Sequence, residues 1–491
     1  MTQQRVKPTS RARKNSTANS IAESLKSASP NAGSHTLEDS TAAHAANHKG
    51  KAGWILLASL GVSFVISGDF AGWQFGLEAG GFGGMAIALA IVAALYLAMS
   101  LCLAELSSAI PSAGGGHLFA TVALGRTGGF ITAAAIMVEY VIAPAAIATF
   151  IGGYVESLNL FGLTNGWPIY FACYAIFVGI HLAGAGEALK LMLGITAVAV
   201  LALIIYCFVM APNISPEKFS EGVDLFPNGA GSVWFAIPFA IWFFLAVEGV
   251  PMAAEDAKNP RRDIPKAIVT AMTILFIAAC AMMIFGPGAA GTGIFAESDN
   301  PLVSGLEAVG ANPTVVYAIN CAALVGLIAS FFSIMYGYSR LVFSMSRERL
   351  IPEIFSRTNS KNVPTWATIL PAILGFGLTF LFDGDFLMSI AVFGAVISYA
   401  LMMLSHIVLR HTRPQMERPY RTPGGIVTSI FAFILAVGAI AAQVVANFLV
   451  ALVSVAVLAL MTIAHLFHER RNPHLATDNQ KDHADYVPTH V

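Results

Sequence analysis

VISGDFAGWQFGL, residues 65–77, and WFFLAVEGVP, residues 242–251, each interrupt a long apolar run with glycine and a carboxylate. One Asp at a bilayer centre costs about 2.5–3.5 kcal/mol on insertion scales, and intramembrane acids are functional by default. The first break is Ser67-Gly68-Asp69 with Gly72 following, and the second is Glu248-Gly249 with Pro251. The two runs stand five spans apart, the separation expected of two inverted repeats. In such an architecture broken helices meet near the midplane and build the substrate site from exposed backbone. Gly and Pro also merely bend spanning helices, but here each break carries an acid as well.

The composition agrees with a membrane setting. The 491 residues are 56% hydrophobic and 11% charged, against roughly 25% charged in globular chains. A spanning helix needs about 20 apolar residues. About twelve such runs occur, at 53–77, 83–108, 126–156, 167–184, 188–210, 232–256, 264–288, 314–346, 364–382, 385–410, 426–447 and 450–468. The expected organisation is a disordered cytoplasmic tail (1–52), a first repeat (53–210), a second repeat (232–411), two extra helices (426–468) and a cytoplasmic tail (469–491). With the termini placed inside, the inner segments hold Arg126, Lys190, Arg261, Arg340, Arg410 and nearly every other Lys and Arg, leaving Lys218 outside. The positive-inside bias therefore predicts an inner-membrane protein with both termini cytoplasmic.

Other classes find little support. The five cysteines are scattered within spans and read as small buried hydrophobes. His117, His181, His406 and His465 fall at or near span ends, mostly as interfacial residues, and no two share metal spacing, so no metal or cofactor is expected. The net charge of −1 suggests no nucleic-acid partner, and no phosphate-binding loop points to ATP.

Three stretches carry a family resemblance. AELSSAIPSAGGGHLFATVALG (104–125), AEDAKNPRRDIPKAI (254–268) and SRLVFSMSRERLIPEIFS (339–356) resemble junction segments of the amino acid–polyamine–organocation transporters. The resemblance spans roughly 53–468. It implies an all-α polytopic fold of about 12 helices, a five-plus-five inverted repeat with broken helices 1 and 6 and two extra helices. Within that superfamily SGDFAGWQFGL and VEYVIAPAAIATFIGGY look most like the bacterial ethanolamine permeases.

What the resemblance implies is specific to residues. Amino acid carriers of this type hold the substrate carboxylate on free N–H groups of a Gly/Ser-rich first break. This chain departs from that pattern by placing Asp69 there, which suits an ammonium; Asp69 alternatively caps the second half-helix. Trp242 matches an aromatic that covers substrate in relatives, and an aromatic face also favours a cation; ordinary packing is the other reading. Glu248 matches a glutamate common in the sixth-span break, for substrate or proton, or for unwound backbone. Glu139, beside Tyr140, is a proton carrier or a helix–helix bond. Lys190 either snorkels or takes the place of sodium in proton-coupled relatives, and Glu105 serves gating or structure.

The expected function is a secondary carrier of a small organic amine, ethanolamine first, working by alternating access in lipid, with protons as a possible co-substrate. Asp69 would attract the ammonium and Trp242 cover it, with backbone near Ser67, Gly68, Gly72, Val247 and Gly249 binding the hydroxyl. The alternatives are a zwitterionic or cationic amino acid carrier and a non-transporting sensor. No nucleophile–base pair suggests an enzyme.

Overall fold

The computed structural model describes residues 50, 52–159, 162–184, 188–296 and 298–471. Most of both expected tails therefore lies outside the described residues. The chain is helical: α1 (Trp54–Val65), α2 (Gln74–Ala109), α3 (Gly116–Ser157), α4 (Trp167–Ala183), α5 (Ala188–Met210) and α6 (Gly231–Trp242) are followed by a tight helical turn at Val247–Asp256. Then come α7 (Pro260–Ala290), α8 (Pro313–Arg347), α9 (Thr365–Leu378), α10 (Gly384–Thr412), α11 (Ile426–Ala446) and α12 (Phe448–Arg471). Among the described residues nine spans are long and apolar enough to cross a bilayer, and Trp54–Val65, Trp167–Ala183 and Thr365–Leu378 are shorter apolar helices. This is a polytopic all-α membrane protein of about twelve helices.

Glycines set the punctuation. α2 kinks at Gly81 and α3 at Gly125, both with positive φ. Residues 74–80 thus complete the first crossing, and the apolar runs beginning at 83 and 126 start just past the two kinks. α12 continues beyond the apolar run ending at 468, because Glu469 in its polar last turn pairs with Arg126 of α3.

Helix contacts repeat within the bundle. α1 packs on α7 and α2 on α6, while α3 packs on α10 and α5 on α8. Exchanging α1–α5 with α6–α10 maps each contact onto its partner. Exposed Ile277, Phe431, Ile434 and Leu460 lie on the outside of the bundle, where lipid solvates apolar side chains.

Two expectations need correction. The four histidines are not interfacial; all are buried. His117 lies 3.1 Å from Glu348, His465 stacks on Phe130, and His181 packs on Phe332. His406 sits 3.4 Å from Glu105. Each imidazole is close to a span end but turned toward the protein, where a polar or aromatic partner replaces headgroup water. Of the cysteines only Cys102 is fully buried; the others are partly exposed on the bundle surface.

Candidate functional site

The first crossing loses its helical ladder after Val65. Ser67–Phe70 form one isolated turn, Ala71 is extended, and Gly72 has φ +101°. Hydrocarbon offers no partner for the carbonyls released there, so side chains from other helices supply them. Ser330 of α8 donates to the Phe64 carbonyl at 2.7 Å, and Tyr154 of α3 donates to that of Phe70 at 2.6 Å. The Trp242 indole N–H donates to Ala71 at 3.0 Å. Ser67 pairs its hydroxyl with Ser330 at 2.8 Å, and the Gln74 amide oxygen accepts from the Gly72 N–H at 2.6 Å.

The second break follows Trp242, the last residue of α6, with Ala246 left-handed at φ +73°. Tyr140 of α3 donates to the Ala246 carbonyl at 3.4 Å, and the Tyr96 hydroxyl lies 3.5 Å from that of Ile241. The breaks touch one another. A Cβ at Gly68 would collide with the Trp242 carbonyl and come within 2.8 Å of the Phe243 Cα, while one at Gly72 would meet the Trp242 indole at 2.5 Å. Gly68→Ala should therefore push the breaks apart, since the obstacle is backbone and cannot rotate away. We expect normal membrane levels with uptake lost at least tenfold; wild-type uptake would show that the close approach is dispensable.

Three carboxyl groups lie fully buried around these breaks: Asp69, Glu139 and Glu248. Both Asp69 oxygens lack a hydrogen-bond partner. Cys207 of α5 and Cys280 of α7 are close enough to feel its charge. Glu139 and Glu248 face one another on the α3 and α10 side, with Tyr140 and Tyr399 in the same cluster. Tyr96 donates to Tyr399 at 3.1 Å, and Tyr399 donates to Glu139 at 3.4 Å. Among the described residues the ion pairs gather at the bundle's ends, and none involves these three acids. Also among the described residues, no group of three or more His, Cys, Asp or Glu is placed to hold a metal ion.

The end of the bundle that carries the termini is tied shut. Ala52 donates its N–H to the Asp256 carbonyl at 2.9 Å and accepts from the Lys258 N–H at 2.8 Å. Arg340 of α8 pairs with Glu255 and Asp256, each at 3.3 Å, and Tyr336 bonds Asp256. Nearby, Glu105 at the end of α2 binds Arg410, Arg418 at 3.0 Å and the Thr422 N–H at 2.7 Å. Burial pulls the Arg418 guanidinium below its ordinary pKa, and the Glu105 carboxylate works in the opposite direction.

The model of the amino acid permease family matches residues 54–467. The chain belongs to that family. The branched-chain amino acid permease BcaP of Bacillus subtilis (strain 168) is 26% identical over 372 residues, covering 70% of this permease and 77% of the relative. The methylthioribose transporter of the same organism is 26% identical over 73% and 79% of the two chains. The vacuolar cationic amino acid transporter 2 of Arabidopsis thaliana is 26% identical over 65% of this permease and 53% of its own length. All three are transporters, not enzymes, and the cargoes in their names differ in charge.

The permease thus brings Ser67, Gly68, Asp69, Gly72, Trp242 and Val247 to one pair of breaks, and joins Glu139, Tyr140, Glu248 and Gly249 in one buried cluster. Asp69 does not join that cluster. Glu105 sits in a charge network at the terminal end, and Lys190 belongs to α5 with its side chain outside the described residues. The sequence reading missed Gln74, Tyr96, Tyr154, Ser330 and Tyr399. Their signal was a polar atom in mid-span, which must find a buried partner, but which carbonyl it reaches is a tertiary fact.

Proposed function

We propose that this permease is a secondary carrier that imports a small organic ammonium compound, ethanolamine first, by alternating access about the two breaks. The observation that carries the reading is Asp69: a fully buried carboxylate with both oxygens unpartnered, in the break where amino acid carriers present free N–H groups. A buried charge without a partner is among the costliest groups in a protein, and a substrate ammonium would complete it. Trp242 covers the break, and backbone near Ser67, Gly68, Gly72, Val247 and Gly249 bonds the hydroxyl. Glu139 and Glu248 repel when both are ionised, which suits the pair to carrying one proton during the cycle. Tyr399 and Tyr96 extend that pair as a hydroxyl chain.

The five-plus-five division, 53–210 and 232–411, and the inner-membrane orientation with cytoplasmic termini belong to the same proposal. A reporter fused after His468 should behave as cytoplasmic; an external signal there would overturn the orientation. The test of function is uptake of labelled ethanolamine into proteoliposomes. An inward proton gradient should speed uptake, and replacing sodium by potassium should leave it unchanged, with Lys190 in the place of sodium. A strict sodium requirement would remove Lys190 from that role, and no uptake under any gradient would remove ethanolamine. A second reading, a cationic amino acid carrier, is favoured by the intramembrane Glu139–Tyr140 pair and the matched plant transporters.

A further inference from the structure

A cavity of mixed lining opens at the end of the bundle opposite the termini. It encloses about 320 Å³ between the start of α2, α6, the start of α10 and the end of α11, within the range of small-molecule sites. Asn228, Phe239, Asp385, Ser389, Gln443 and Asn447 are among its lining residues. Gln443 is 1% exposed and its Oε1 has no hydrogen-bond partner. Its amide N–H₂ is already directed at the Ser389 carbonyl, 3.5 Å away, so the free group is an acceptor. Asp385 adds an exposed carboxylate from the first turn of α10. That position by itself would only offset the helix dipole; the stranded amide oxygen is a separate observation. No Lys or Arg lines the cavity, and Phe235 and Phe239 are among its apolar lining. A carboxylate and a free amide oxygen, with no basic residue in the wall, together suit a cation that carries N–H donors.

We propose that this cavity is a second binding site for a primary ammonium, separate from the two breaks. Two sources share that chemistry, free ethanolamine and the headgroup of a phosphatidylethanolamine at the membrane surface. The proposal rests on the amine reading above only for its choice of probe.

The test is local to the cavity. Ala446→Cys at its rim is labelled with a membrane-impermeant maleimide in the full chain, reconstituted in phosphatidylglycerol vesicles. The parent chain supplies the background from native cysteines, and Ala79→Cys gives a second reporter across the cavity. Ethanolamine should slow labelling severalfold, and choline, which has no N–H donor, should not. Asp385→Asn should raise the half-protecting concentration about two- to fivefold, the range for a pair open to solvent, and Gln443→Leu, which removes a buried neutral acceptor, about two- to tenfold. Slower labelling in phosphatidylethanolamine vesicles, with no further effect of the free amine, assigns the site to the headgroup. Unchanged labelling in all conditions, or protection that survives both substitutions, overturns the site. Protection without ethanolamine uptake would leave the site standing and remove only the transport reading; uptake without protection does the reverse.

Discussion

Excess unlabelled ethanolamine should abolish uptake of the labelled compound, while the same excess of serine, alanine or arginine should leave it nearly untouched. Serine is the decisive competitor, being ethanolamine with a carboxylate added. Around the breaks its carboxylate would meet Asp69, Glu139 and Glu248, all fully buried, with no ion-pair partner for any of them among the described residues. Like charges brought together at a dry interface cost several kcal/mol, which corresponds to discrimination of about a hundredfold or more. Choline keeps the charge and the hydroxyl but adds three methyl groups, so weaker competition is expected from it. Serine competing as well as ethanolamine would transfer the assignment to an amino acid carrier, as two of the relatives are.

Asp69→Asn isolates the charge from the shape. The amide keeps the volume but loses its attraction for an ammonium. A hydrogen bond to a charged group contributes about 1.5–3 kcal/mol, so affinity should fall about ten- to more than a hundredfold. Binding is measured on protein shown to reach the membrane, because the neutral amide also relieves a buried charge and should be at least as stable as the parent. Unchanged affinity would remove Asp69 from the substrate site and move the ammonium to the Glu139–Glu248 cluster. That cluster has its own diagnostic, since Glu139→Gln should flatten the response to a proton gradient whichever acid holds the substrate.

Much of this was legible in the chain itself. The apolar runs located the crossings, and the glycine–carboxylate interruptions at Asp69 and Glu248 located the breaks, because a bilayer punishes both irregular backbone and charge. Side-chain direction was not legible. Asp69 and Glu248 mark breaks that meet, yet Glu248 shares a cluster with Glu139, Tyr140 and Tyr399 that Asp69 does not enter. Where the helix is unwound no 3.6-residue period tells which way a side chain points. The histidines misled for a related reason: nearness to a span end does not say whether a ring faces lipid or a neighbouring helix. The tyrosines and serines that close the released carbonyls gave no pattern, since each bond joins residues far apart in the sequence, as Tyr154 with Phe70 and Ser330 with Phe64 do.

The short backbone bridge between Ala52 and the Asp256–Lys258 segment has a kinetic meaning. It joins the entrance of the first crossing to the exit of the sixth, so neither can tilt at that end until two main-chain hydrogen bonds and the Arg340 ion pairs part together. A gate held by a few kcal/mol leaves its open form populated at about 0.1–10%. Cargo release to that side would then wait on this rare opening, and the ion pairs make its frequency depend on salt. Turnover should rise with ionic strength while apparent affinity at the breaks stays constant, which places the speed of the carrier and its choice of cargo in different parts of the molecule.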